Sequence, residues 1–405
     1  MTSLDEKFRT LATDNAPGQE VRHPGDDIDA LVIGEILSGA PVDFSHGDVD
    51  AFEPSPGSFD CFAQGVQIGG KRAYTEYRGD AGIREALAVR LARFTGAPVA
   101  GTDDLIITPG SQGALFLALA STISAGDKVA IVRPDYFANR KLVQFLDGEI
   151  VPVRMDYHAT NDSAGLDLGE LEDAFRAGVK VFVFSNPNNP AGVVYSRTEI
   201  DHISRLAGRY GVTVIVDQLY SRLVYSGTTY THLRAVEGSA HNIITIMGPS
   251  KTESLSGYRL GVAFGSPAII TRMEKLQAIV SLRAAGYSQS VLQTWLAEPD
   301  GWMEERIRRH QAIRDELHSM LTAVAGVAAR LPQAGSYLFA RLPALAVSPH
   351  DFVRILRYQA KVIVTPGTEF SPDAGNSVRL NFSQDHHAAV NAVGRMMALI
   401  ERYRV

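Results

Sequence analysis

Seven short runs of apolar, mostly β-branched residues punctuate the chain between residues 105 and 264: Leu105–Thr108, Val129–Val132, Ile150–Val153, Val179–Phe184, Val212–Val216, Ile243–Ile246 and Leu260–Phe264. Most are too short for helices and lack polar alternation, which is the pattern of strands buried on both faces. Helix-patterned stretches at Arg84–Phe94, Gln112–Ser124 and Thr198–Tyr210 lie between many of them. This alternation predicts an α/β fold with a mostly parallel seven-stranded sheet flanked by helices. After about residue 285 the texture changes. A long helix is expected from about Gly301 to Val324, its charged face carrying Glu304, Arg308, Asp315 and Glu316. Strand candidates Tyr337–Ala340, Val362–Val364 and Val378–Phe382 then alternate with two helices, as in a smaller α+β domain. Residues 1 to about 50 read as irregular, with Pro17, Gly18, Pro24 and Gly25, apart from an apolar helical stretch near Ile28–Leu37.

A chain of 405 residues that is 45% hydrophobic can bury a large core and divide into two domains. The expected division is a large domain over 50–285 and a small one built from 1–49 with 286–405. Charged residues make up 21% and the net charge is −6, which leaves no broad basic field for nucleic acid. The basic cluster Arg306-Ile307-Arg308-Arg309 is interleaved with Glu304, Glu305 and Asp315 and reads as a solvated helix face. Cys61 is the only cysteine, which excludes an internal disulfide and a cysteine-based zinc site. As a lone cysteine it reads as a small inert residue. The start, Met1–Lys7, lacks the pattern of a signal peptide, and no uncharged apolar run reaches membrane-spanning length. A soluble cytoplasmic protein is expected.

Ligands of open α/β sheets bind at the carboxyl ends of the strands, and the unusual polar residues of this chain fall there. After the first run comes Thr108-Pro109-Gly110-Ser111-Gln112-Gly113. Gly110 permits close backbone approach, Ser111 can cap the following helix, and free N–H groups there suit a phosphate; an ordinary capped helix is the plainer alternative. Arg133-Pro134-Asp135-Tyr136-Phe137 follows the second run, with an aromatic able to stack on a planar ring. The fourth run ends in Ser185-Asn186-Pro187-Asn188-Asn189-Pro190-Ala191-Gly192, a loop stiffened by two prolines. Asp217-Gln218-Leu219-Tyr220 follows the fifth; a carboxylate here needs a cation, a proton donor or a helix end to cap. The sixth run leads to Ser250-Lys251, and Arg259 stands before the seventh. An amine on a loop emerging from a buried sheet can be a nucleophile toward carbonyls, and Arg259 suits a phosphate. Together they suggest pyridoxal phosphate held as an imine.

The segments Asn186–Gly192, Asp217–Tyr220 and Ser250-Lys251 through Arg259 resemble, in order and spacing, the motifs of fold-type I aminotransferases of class I/II. The resemblance runs from about Gly47 to the C-terminus. It implies that Lys251 forms the imine with pyridoxal 5′-phosphate and shuttles a proton between the substrate α-carbon and the cofactor. Asp217 would keep the ring nitrogen protonated so that the ring can accept electrons. Tyr220 and Asn189 would bond the ring oxygen, Tyr136 would stack on the ring, and Gly110, Ser111, Gln112, Ser250 and Arg259 would surround the phosphate. Arg379, in Ser377-Val378-Arg379-Leu380-Asn381-Phe382, matches the arginine that grips the substrate α-carboxylate. Gly47 matches a glycine near the substrate. Tyr74 matches a tyrosine given to the neighbouring subunit's phosphate, which implies a homodimer with shared sites.

Three positions depart from the family pattern. Gln218 replaces a frequent glutamate, Gly248 stands where some relatives have a phosphate-binding serine, and Ala191 replaces the usual threonine. For the substrate side chain, Arg283 in Arg283-Ala284-Ala285-Gly286-Tyr287-Ser288 is near, but one position out of register with, a partner-subunit arginine that holds a dicarboxylate in one branch of the family; an ordinary helix-end arginine is the plainer reading. The resemblance, more than any single residue, implies an aminotransferase acting on aspartate, or on an aromatic amino acid, with an acceptor such as 2-oxoglutarate. A β-eliminating C–S lyase on the same scaffold is the second class. A cofactor-binding transcription regulator is the third, and the first 50 residues carry no helix-turn-helix pattern to support it.

Overall fold

In the computed structural model, which describes residues 3–11, 28–47, 51–158, 162–237 and 241–405, helices Ser3–Leu11 and Ile28–Leu31 precede a two-residue strand, β1 (Val42–Asp43). It then lays down the strands that the apolar runs predict. These are β2 (Leu105–Pro109), β3 (Lys128–Arg133), β4 (Glu149–Arg154), β5 (Val181–Ser185), β6 (Thr213–Asp217), β7 (Ile243–Met247) and β8 (Leu260–Gly265). They make one seven-stranded sheet in the order β2-β8-β7-β6-β5-β3-β4. Every pairing is parallel except the two that β8 makes, with β2 and with β7. Reversal of β8 matters for the site: its beginning, not its end, lies at the carboxyl edge of the sheet. Pro109 therefore faces Leu260 across the ladder, and Arg259 is delivered beside Gly110.

Burial on both faces holds for β5, whose residues are all buried, and fails for β4. That strand is the sheet edge, so Glu149, Pro152 and Arg154 are exposed; a proline is tolerated there because it has no ladder hydrogen bond to donate on the open side. Helices with sequence-encoded ends cover the faces. Asp80 caps Ala81–Thr95 by accepting from Ile83 N at 2.9 Å, and Gly96 ends it at φ 73°. Ser196 and Glu199 form a capping box on Arg197–Tyr210, and Gly211 ends it at φ 67°. The helix expected over Gln112–Ser124 runs Gly110–Ala120 instead, and Pro109, not Ser111, is its N-cap, without a side-chain cap bond.

A second, antiparallel sheet carries β9 (Ala328–Ala329), β10 (Tyr337–Arg341), β12 (Thr365–Pro366) and β13 (Ser377–Asn381) in the order β12-β13-β10-β9. The run Val362–Val364 gives β11 (Val362–Ile363), which leaves that sheet and pairs in parallel with β1. Helices Trp302–Thr322 and His386–Tyr403 pack beside it, and one hydrophobic cluster joins Ile28, Phe44 and Phe52 to Leu317, Leu380 and Tyr403. The helix expected near Ile28–Leu37 stops at Leu31. Gly34 takes φ 74°, and the carbonyls of Ile33, Gly34 and Glu35 accept from the buried Gln359 amide, so this segment spends its backbone groups on a side chain. Pro17, Gly18, Pro24 and Gly25 lie outside the described residues.

One basic residue departs from its expected place. Arg306 is buried, not solvated: it donates to Ser254 Oγ at 2.9 Å and stacks over Trp302 and Phe52. Arg308 remains exposed and pairs with Glu305. Among the described residues no helix is long and apolar enough to cross a membrane.

Candidate active site

A cavity of ≈ 210 Å³ opens where the carboxyl ends of β2, β3, β5 and β6 face β10 and β13. Of the residues singled out in the sequence, Ser111, Gln112, Tyr136, Asn189, Asp217, Tyr220, Lys251 and Arg379 line it. They come from six separate stretches of chain. The fold alone brings them together.

Asp217 ends β6, and its Oδ1 accepts the Leu219 N–H at 3.0 Å. No helix follows, so it is a turn aspartate rather than a helix cap. Burial raises its carboxyl from 3.8 to about 6, with the Leu219 hydrogen bond pulling the other way. Such a group is ready for a cationic N–H partner. Gln218 turns away from the cavity and bonds His232 at 2.9 Å. Tyr220 keeps its proton, since burial and then Tyr337 push its hydroxyl well above the ordinary range. That hydroxyl shares a 2.5 Å hydrogen bond with Tyr337.

Arg379 lies in β13 and is 2% exposed. Its guanidinium donates to Asn189 Oδ1 at 2.9 Å and to the Ser45 carbonyl at 2.8 Å. Tyr337 and Phe370 stack on it with ring centroids 4.2 and 4.6 Å away. It has no carboxylate partner among the described residues, and its Nε makes no hydrogen bond. A buried cation in that condition has donors to offer a carboxylate. Asn189 spends its oxygen on Arg379, which leaves its amide N–H groups for another acceptor. The other loop asparagines have structural work: Asn188 accepts from Ala191 N at 3.0 Å and donates to the Pro134 carbonyl at 3.1 Å, and Asn186 accepts from Tyr195 N at 3.3 Å.

A tight glycine-lined turn stands at the start of helix Gly110–Ala120, where a phosphate is expected. Gly110 has φ 76°, and a Cβ there would stand 2.6 Å from Arg259 Nη2. A Cβ on Gly261 would stand 2.3 Å from Ser111 N. Only glycines let β8, the helix end and the arginine converge so closely, and the first-turn N–H groups have no side-chain cap. The same crowding explains Gly248: a Cβ there would meet the Leu260 carbonyl at 3.1 Å, so a serine fits poorly.

Not every expected residue reaches this cavity. Ser250 and Gly47 line a smaller one of ≈ 30 Å³ on the other side of Lys251, and Ser250 Oγ is bonded to the Leu260 carbonyl at 3.3 Å. From the N-terminal segment it is Ser45 and His46 that line the main cavity. Tyr74 is 80% exposed and lines neither. Arg283 donates to the Thr75 carbonyl at 2.6 Å and lies 5.0 Å over the Tyr74 ring. Cys61 is partly buried, and burial and Asp60 push its thiol up, which suits an inert residue. Missed in the sequence were Tyr337, Ser45, His46 and Asp135. The strand alternation of Tyr337 with Phe339 was visible; that its face would close on Arg379 was not.

Residues 59–395 match the family model described as aminotransferase class I and II. The aspartate aminotransferase of Sulfolobus acidocaldarius is 29% identical over 339 residues, which cover 82% of this chain and 84% of that protein. An aromatic-amino-acid aminotransferase of Thermococcus litoralis is 23% identical, over 82% of this chain and 86% of its own. Among solved structures, an aspartate aminotransferase from Rhodobacter sphaeroides superposes with a TM-score of 0.95 at 66% identity, covering 100% of both chains. The glycine cradle, the desolvated acid at the cavity wall and the lysine beside it fit pyridoxal phosphate. With the matched region spanning both sheets, the chain belongs to the pyridoxal-phosphate-dependent aminotransferases of class I and II.

Proposed function

We propose that this aminotransferase moves the α-amino group of an L-dicarboxylic amino acid, aspartate first, to a 2-oxo acid such as 2-oxoglutarate, in the cytoplasm. When bound, the cofactor supplies an aldehyde to take up the amino group and a ring that accepts the electrons released at the α-carbon. The protein's own residues do the rest. Lys251 is the attachment point and moves the proton at the α-carbon. Asp217 would hold a proton on the ring nitrogen, and Tyr136 would lie against the ring face. Asn189 and Tyr220 would donate to the ring oxygen, while the Gly110–Gln112 N–H groups and Arg259 would take the phosphate; Ser250, across Lys251, would have to leave the Leu260 carbonyl to join them. Arg379 grips the α-carboxylate in a two-pronged pair, so that amino and oxo acids present the same bond to Lys251.

The observation that carries this reading is the meeting of Lys251, Asp217 and the carboxylate-free Arg379 around one cavity. The dicarboxylate preference has separate support. Arg283 stacks on Tyr74, so a partner subunit that receives the exposed Tyr74 receives Arg283 with it. The aspartate aminotransferase name of the 66% identical structure points the same way. We further assign 50–285 to a cofactor-binding domain and 1–49 with 286–405 to a small one, since residues on both sides of the large sheet's sequence share one hydrophobic cluster. A second reading, aromatic donors, draws on Leu115 and Phe137 in the cavity wall.

Borohydride reduction of the purified protein should fix the cofactor to Lys251 and to no other residue, with Lys251→Ala giving no label and no turnover while remaining folded. A panel of L-amino acids against 2-oxoglutarate, oxaloacetate and pyruvate should rank aspartate first. Highest rates with tyrosine or phenylalanine would select the aromatic reading, and pyruvate with ammonia from a cysteine-type substrate would select β-elimination.

A further inference from the structure

Asp135 is a carboxylate in the interior that the reaction above leaves without a role. It is 2% exposed and has no cation partner among the described residues. Three donors converge on it: Tyr136 N at 2.6 Å and the Ser185 hydroxyl on Oδ1, and Ser185 N at 3.0 Å on Oδ2. The chain continues on both sides of this knot. Ser185 Oγ accepts the Asn189 N–H at 3.1 Å, and Asn189 Oδ1 holds Arg379 at 2.9 Å. Asp135 N in turn donates to the Phe370 carbonyl at 3.3 Å, and Phe370 stacks on Arg379. One carboxylate is thus tied to the end of β3, the end of β5 and the loop that aims Asn189.

Resting on the reading of the site given above, we propose that Asp135 is a positioning residue: it locks Tyr136 and the Ser185–Asn189 loop into one rigid unit, so that the wall facing the cofactor ring and the arginine gripping the substrate keep a fixed spacing. A neutral amide cannot replace it. Oδ1 takes two of the donors and Oδ2 the third, and each oxygen of the acid keeps a lone pair to accept with whether or not the group carries a proton, whereas an amide turns an NH2 group, which cannot accept, toward one of them and breaks that corner. A simple helix cap is not its task, since helix Phe137–Phe145 takes no side-chain cap bond. Burial holds the Asp135 carboxyl far above its ordinary range, countered by the Ser185 and Tyr136 bonds.

The test uses the holoenzyme and three variants: Asp135→Asn, Ser185→Ala and the double change. Losing the knot lets Asn189 and Arg379 drift, and misplacement of that order reduces binding of the correctly held substrate by roughly tenfold or more. The expected result is a rise of about tenfold in KM for both amino and oxo acid, with kcat changed less. The dissociation constant of succinate, a non-reacting dicarboxylate, should rise in parallel. The pH midpoint of the bound cofactor's visible absorbance should move as well, because Asn189 and Tyr136 face the ring. The double variant should be no worse than the worse single one, since both cut the same knot. If Asp135→Asn does not fold, Ser185→Ala, which removes one hydroxyl, carries the test alone. Unchanged KM, succinate affinity and absorbance titration in a folded variant, or additive effects in the double one, would overturn the proposal. Lys251 labelling in the same samples separates such a failure from failure of the underlying reading.

Discussion

At the scale of single residues, titration is where the site's strain becomes measurable. Asp135 is raised to about 8 and Asp217 to about 6, in both cases by burial first. Each native carboxyl therefore keeps a proton that the unfolded chain releases near pH 4, so its contribution to stability is complete below that pH and is lost as pH rises through the raised value. For Asp135 the window runs from about 4 to about 8. Urea unfolding of wild type and Asp135→Asn, compared between pH 5 and pH 9, should show a wild-type advantage at pH 5 that shrinks steadily toward pH 9; an advantage independent of pH would contradict the raised carboxyl. Where chemistry is rare, reading single residues from the sequence picked out groups that the fold brings to one cavity. A lysine, an aspartate and an asparagine at strand ends announce themselves, and Arg379 needed only a family pattern. Asp135 did not, because its importance lies in three partners that are distant in sequence. Ser111 was assigned a cap it does not make, for the helix begins one residue before it and Gly110 leaves the backbone turn open.

Elements explain what single residues cannot. Reversal of β8 within an otherwise parallel sheet puts Arg259 against the start of helix Gly110–Ala120, and two glycines make room for it. Sequence alone gave all seven strands but not their order or the direction of β8, since periodicity reports burial and not the neighbour that buries it. The Lys251 loop is held the same way, from outside its own sequence: Arg222 bridges Glu253 to Glu298 through a pair of bonds at 2.8 and 2.9 Å to the latter. Gly261→Ala tests the element-level packing. Its Cβ would stand 2.3 Å from Ser111 N and 2.4 Å from the Gly110 carbonyl carbon, both backbone atoms that cannot swing aside. Overpacking of this kind costs ~1–3 kcal/mol, and the relief must come from the helix end that forms the cradle. The variant should bind pyridoxal phosphate at least ~10-fold more weakly by absorbance titration while Lys251 still accepts the label. Native cofactor affinity would mean that the helix end does not hold the phosphate.

For the whole molecule, the open question is what covers the face that carries Tyr74. Phe59 is 70% exposed, Ile279 81% and Tyr74 80%, with Val280 and Leu282 beside Ile279 in sequence. Helix Ser58–Ile68 packs against the segment Gly286–Gln293, and Arg283 lies over Tyr74, so several of these residues belong to one region of the surface. Burying each large apolar side chain gains ~1.5–3 kcal/mol, and a symmetric dimer buries every one twice. If Tyr74 completes the phosphate site of a second copy, two inactive variants must rescue each other. Tyr74→Ala supplies an intact Lys251, and Lys251→Ala supplies an intact Tyr74. A mixed dimer then has one whole site of two, and random assortment of equal amounts, after unfolding and refolding together, restores about a quarter of the wild-type specific activity. Each variant alone should stay far below that level at the same concentration. Light scattering should report about twice the 43.9 kDa chain mass for all three samples. A mixture no more active than the sum of its parts would place Tyr74 outside any shared site and leave each chain to bind the phosphate unaided.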